Sequence, residues 1–117
     1  MGAEFVNIQA GIPQITPKEL KQRLDQGEKL FLLDVREVDE RNVCHIGGEH
    51  IPKNQVVDNI ERLPRDQDIV VYCLAGGRSQ QVAQMLQKQY GFTKVSNLTG
   101  GMMQWQSEVD SSMSTYW

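Results

Sequence analysis

The sequence predicts an α/β domain with a mostly parallel sheet, and three observations carry that expectation. The runs at residues 30–35 and 69–73 are almost continuously apolar, as in strands buried on both faces. Val82, Met85 and Leu86 repeat at helical spacing between the second of these strands and a third, more polar one at 94–98. Strands that alternate with helices need crossover connections, and crossovers make neighbouring strands parallel.

Each element has a local cause. Thr16 is placed to cap a first helix, Pro17 suits its first position, and Glu19 completes a capping box. Leu20 and Leu24 mark its apolar face and Gly27 supplies the stop. Residues 47–52 read as a turn entering a brief edge strand, and residues 56–63, closed by Pro64, as a short helix. A clear helix is expected over about 79–90, with Gly91 ending it. After Leu98, Gly100 and Gly101 turn the chain into a last helix that carries Met102, Met103 and a core-filling Trp105. The 117 residues suit one domain, 1–117, with a core over about 15–108. The first dozen residues and those after about Asp110 are expected to be loosely held ends.

Composition excludes several functions. A net charge of −3 without a Lys/Arg cluster gives no footprint for nucleic acid. No apolar run reaches membrane-span length and the first residues lack a signal-peptide core, so a cytoplasmic protein is expected. The two cysteines, Cys44 and Cys73, are too few for a disulfide scaffold. With His45 and His50 they have none of the usual metal-ligand spacings, so no metal and no cofactor are expected.

The chemistry concentrates in Val70-Val71-Tyr72-Cys73-Leu74-Ala75-Gly76-Gly77-Arg78-Ser79. Ligands of open α/β sheets sit outside the C-terminal strand ends, where Cys73 to Arg78 should meet Asp34-Val35-Arg36. A cysteine ending a buried strand is ordinarily an inert small hydrophobe. Here Gly76 and Gly77 let backbone N–H groups turn inward as a nest. The helix near Ser79 aims its positive end at the same point, and Arg78 adds a cation. Together these donors suit a sulfur that carries negative charge, which is how a reactive cysteine is made. Cysteine phosphatases space the pair as Cys-x-x-x-x-x-Arg, whereas four residues separate Cys73 from Arg78. The tighter loop suits a persulfide sulfur better than a phosphate.

Four ordered motifs then resemble the rhodanese-like family over most of the chain, from about Ile15 to Trp105. They are Leu33-Asp34-Val35-Arg36-Glu37, His45-Ile46-Gly47-Gly48-Glu49-His50-Ile51-Pro52, the loop from Cys73 to Ser79, and Leu98-Thr99-Gly100-Gly101 with Trp105. Gly47 departs from the family pattern, where proline is commoner. The resemblance implies a three-layer domain whose five-stranded, mostly parallel sheet has helices on both faces. It also implies that Cys73 is a sulfur-carrying nucleophile, cradled by Leu74, Ala75, Gly76, Gly77, Arg78 and Ser79. The segments 42–48 and 105–110 look most like the rhodanese domain fused behind adenylyltransferases that activate ubiquitin-like sulfur-carrier proteins for molybdopterin or thiamine synthesis. The chain is then an excised domain or a free-standing relative.

The implied reaction is a sulfur transfer in which Cys73 takes sulfur from thiosulfate or a protein persulfide. An acceptor nucleophile, or the activated carboxylate of a carrier protein, then receives it. The alternatives are a non-catalytic binding or regulatory module on the same fold and, less favoured by the loop spacing, a cysteine phosphatase or arsenate reductase. Arg36 either lines the pocket or, as ion pairs at strand ends commonly do, pairs with Asp34 to brace the strand. Cys44 is a resolving thiol or, more simply, a packed small residue. His45 reads as a hydrogen-bonded structural histidine, and Ser79 as donor to the cradle, helix cap, or both.

Overall fold

The structure, a computed structural model, describes residues 11–117. Five strands form one sheet: β1 (Gln14–Ile15), β2 (Phe31–Asp34), β3 (Glu49–His50), β4 (Ile69–Tyr72) and β5 (Val95–Leu98), in the order β1-β5-β4-β2-β3. Every pairing is parallel, so the sheet is wholly rather than mostly so. The α-helices are α1 (Pro17–Asp25), α2 (Val38–Val43), α3 (Gly77–Tyr90) and α4 (Gly101–Glu108).

Side chains of the central strands alternate between two apolar cores, as the twofold period of a strand requires. Leu33, Val71 and Cys73 join Val82, Ala83 and Leu86 of α3 on one side. Leu32, Val70 and Tyr72 join Leu20 of α1 and Met102 and Trp105 of α4 on the other. The result is three layers with helices on both faces. Each fully buried large apolar side chain contributes about 1.5–3 kcal/mol, which is why these strands tolerate so few polar residues.

Topology places the site. β2 pairs with β4 through Asp34↔Tyr72, so the C-terminal ends of the two strands lie side by side. The chain leaves β2 towards β3 but leaves β4 towards β5, a reversal that opens a crevice above the sheet at this pair. Cys73 is the first residue beyond β4.

Several local expectations need correction. The Thr16–Glu19 capping box and Pro17 start α1 as read. The long helix begins at Gly77 rather than Ser79, because Gly76 in the left-handed region is its cap. Residues 56–63 do not form a short α-helix; the segment makes 3₁₀ turns at Lys53–Gln55 and Val57–Arg62, broken by Asn59 with φ −125°. Helix α2 was not anticipated, since none of its residues is buried and no apolar stripe announces it. Gly47 has φ +91°, which proline's ring forbids, so the departure from the family pattern is a change of turn.

The ends also differ from expectation. Residues 1–10 lie outside the described residues, but Ile12 is buried in the core. Beyond α4 the chain is not loose throughout, because Tyr116 hydrogen-bonds to Arg36 and Glu40.

Candidate active site

Cys73 is buried, and its sulfur is surrounded by donors from the loop that follows it. The Gly76 N–H donates to Sγ at 3.1 Å and the Ser79 N–H at 3.4 Å. The Ser79 hydroxyl lies 3.2 Å from Sγ and 2.6 Å from Asn97 Oδ1. Asn97 is oriented by its own amide, whose Nδ2 donates to Gln14 Oε1 (3.0 Å) and to the Gly76 carbonyl (3.4 Å). Its Oδ1 therefore faces Ser79. The single hydroxyl proton goes to Asn97 or to the sulfur, while both N–H groups address the sulfur in either case. Gly76 has φ +104°, a conformation open to glycine and strained for a side-chain-bearing residue, and this turn aims its N–H inward.

The rear of the loop is fixed from α4. The Met102 N–H donates to the Cys73 carbonyl at 2.9 Å and the Met103 N–H to the Leu74 carbonyl at 3.0 Å. Leu74 is half-buried, Ala75 and Gly77 are exposed, and none of the three hydrogen-bonds to Sγ. The nest expected from the whole loop thus consists, at the sulfur, of Gly76 and Ser79.

Arg78, expected to add a cation to the cradle, is paired with a carboxylate. Its guanidinium makes a bidentate pair with Glu40 of α2, Nη1 to Oε1 at 2.7 Å and Nη2 to Oε2 at 2.9 Å. The Glu40 carboxyl is pushed down to about 2, first by Arg78, which outweighs the opposing effect of burial, and further by Tyr116 and the Glu37 N–H. Arg78 is raised in turn by the same bond.

Arg36 braces Asp34. Both are fully buried, and Arg36 Nε and Nη2 donate to the two Asp34 oxygens at 2.9 Å each. Arg36 also donates to the Cys44 carbonyl (2.7 Å) and the Tyr116 hydroxyl (3.3 Å), with its guanidinium 5.6 Å from the Tyr72 ring centre. Burial works against its charge, but Asp34 and then Tyr116 more than offset it, so Arg36 is held protonated. Arg41 adds a second cation at 3.4 Å from Asp34 Oδ2. Asp34 and Arg36 therefore lie at the strand end beside Tyr72, bonded to one another rather than to the sulfur.

The remaining residues find plain roles. Cys44 is half-buried at the end of α2 and packs against the apolar core that contains Leu20, Tyr72 and Trp105, and both cysteines are free. His45 is exposed, its Nδ1 accepting from the Gly47 N–H at 2.9 Å. Among the described residues no cluster of His, Cys, Asp and Glu suits a metal ion, and no helix is long and apolar enough to cross a membrane. Sequence reasoning missed Glu40, Asn97 and Tyr116. Asn97 carried a signal, a polar residue inside a strand, whereas Glu40 and Tyr116 sit where charged and aromatic surface residues are ordinary.

The family model of the rhodanese-like domain matches residues 16–108, which span every element from α1 to α4 and include the whole cysteine loop. The chain belongs to the rhodanese-like family. Its relatives include YrkF of Bacillus subtilis, whose name describes a sulfur carrier protein, at 37% identity over 102 residues, 86% of this chain and 55% of that one. The Mycobacterium tuberculosis protein MoeZ, named a probable adenylyltransferase/sulfurtransferase, is 37% identical over 105 residues, 87% of this chain and 26% of that one. Among solved structures, a rhodanese-like domain protein from Staphylococcus aureus has a TM-score of 0.76 at 25% identity, covering 91% of this chain and all of that one. The rhodanese-like chain thus spans about half of YrkF and a quarter of MoeZ.

Proposed function

We propose that the protein is a sulfurtransferase that carries sulfur as a persulfide on Cys73. The observation that carries this reading is the sulfur of a buried cysteine receiving two backbone N–H groups beside a hydroxyl. Such a set stabilises negative charge on sulfur without needing a separate base. The thiolate attacks the outer sulfur of thiosulfate, an S–S bond forms on Cys73, and sulfite departs with the electron pair of the broken bond. For a protein persulfide donor the leaving group is the donor's own thiolate. A thiophilic acceptor then attacks the terminal sulfur and regenerates the Cys73 thiolate.

On the acceptor side, we favour a ubiquitin-like sulfur-carrier protein or the adenylyltransferase that activates one, because the relatives' names include both functions. The phosphatase reading loses support from Arg78, which a phosphate would need and which Glu40 occupies. Thiocyanate formation from a sulfane donor and cyanide tests the proposal. The protein should turn over and Cys73→Ser should not; retained activity in that variant contradicts the assignment.

A further inference from the structure

Arg78 is the one cation within the cysteine loop, and it immediately precedes Ser79, whose N–H and hydroxyl address the sulfur. Its charge is not presented alone. Both terminal nitrogens are taken by the two oxygens of Glu40, and each of those oxygens has a second donor: Oε1 receives the Glu37 N–H at 2.9 Å, and Oε2 receives the Tyr116 hydroxyl at 2.6 Å. Four donors leave the carboxylate little freedom to swing away. Tyr116 is tethered from behind by Arg36 Nη1, and through it to the buried pair with Asp34. Burial and the Glu40 carboxylate push the Tyr116 hydroxyl up to about 12, so it remains a donor at any working pH. Leu74 and Ala75 add no charge of their own to the loop.

We propose that Glu40, held in place by Tyr116, is a specificity-determining residue that cancels the Arg78 charge and makes the site take sulfur from singly charged persulfide-type donors in preference to the thiosulfate dianion. The inference rests on the sulfurtransferase reading and narrows its donor. A fixed carboxylate opposes an approaching dianion twice as strongly as a monoanion, so its effect on the dianion is the square of its effect on the monoanion and the two donors are separated by one single-charge factor. Tyr116 acts through Glu40 as a positioning residue.

The test compares two donors that deliver the same sulfur with different charge, thiosulfate and methanethiosulfonate, with cyanide as acceptor. Thiolate plus thiosulfate gives Cys73 persulfide and sulfite; thiolate plus methanethiosulfonate gives the same persulfide and methanesulfinate. Charge and electrons balance in both. Cyanide then removes the outer sulfur as thiocyanate and restores the thiolate.

Glu40→Gln keeps the shape and loses the charge. It should raise kcat/KM for thiosulfate about tenfold and for methanethiosulfonate about threefold, mainly through KM, with both gains shrinking as salt screens them. Tyr116→Phe should move the ratio of the two in the same direction by a smaller factor. Structural damage would instead change both donors by the same factor, independently of salt. An equal change, or none, in variants that still turn over methanethiosulfonate overturns the inference and leaves the sulfurtransferase reading standing. If neither donor sulfurates Cys73 in the unaltered protein, that reading falls and the inference with it.

Discussion

Cys73 and Arg36 sit just beyond adjacent strands, the first after β4 and the second two residues past the end of β2, and both are almost fully removed from solvent. Their surroundings are nevertheless opposite in kind. The cysteine is met by backbone N–H groups and a hydroxyl, none of which carries a formal charge. The arginine is met by a carboxylate, with a second arginine and an aromatic ring close by. The charged groups of this end of the sheet are thus spent on one another, Asp34 with Arg36 and Arg41, Glu40 with Arg78. The site separates its duties. Neutral dipoles are left to follow the charge on sulfur, while the ion pairs hold β2, α2 and the loop in register.

The sharpest way to break this division is at the sulfur itself. Cys73→Ala should abolish sulfur transfer while leaving the urea midpoint nearly unchanged, since the lost side chain is small. The opposite pattern is expected across the way. Asp34→Asn strands the fully buried Arg36 without its carboxylate and should cost about 3–5 kcal/mol in urea unfolding, as breaking a buried pair does. That is a large share of the stability of a domain of this size.

Smaller changes sharpen the same contrast. Gly76→Ala forces a side chain into φ +104° and should cost about 1–2 kcal/mol, with a disproportionate loss in the rate of persulfide formation because the N–H turns with the backbone. Ser79→Ala keeps the backbone donor and removes the hydroxyl, so stopped-flow loading should slow by about tenfold, the worth of one hydrogen bond to a charged group. The mildest effect is on acid stability. The Glu40 carboxyl lies below its ordinary value of 4.5, at about 2, so its contribution is complete above the former and disappears as pH falls through the latter. The difference in urea midpoint between the protein and Glu40→Gln should therefore narrow between pH 4.5 and pH 2.

Much of this was legible in the sequence, and the division between legible and hidden follows the same physics. The strands announced themselves because burial on both faces excludes polar residues, as at Val70 and Val71. The cysteine loop was legible because glycine, cysteine and arginine at close spacing have few structural uses in common. Glu40 was not, since it lies on an exposed helix with no apolar period and its partner Arg78 is 38 residues distant. Tyr116 was hidden for the same reason at 76 residues from Glu40, and an ordinary polar tail offered no pattern from which to infer its docking. The position of Arg78 in sequence is correct for a cradle, but only the fold reveals that its charge is already matched.

The central claim is that Cys73, and not Cys44, carries the transferred sulfur. Mass spectrometry of the protein after one equivalent of methanethiosulfonate, with peptide mapping under non-reducing conditions, tests it most directly. The expected result is a gain of one sulfur atom confined to Cys73 and released by cyanide as thiocyanate. No added sulfur, or sulfur found on Cys44 instead, would contradict it.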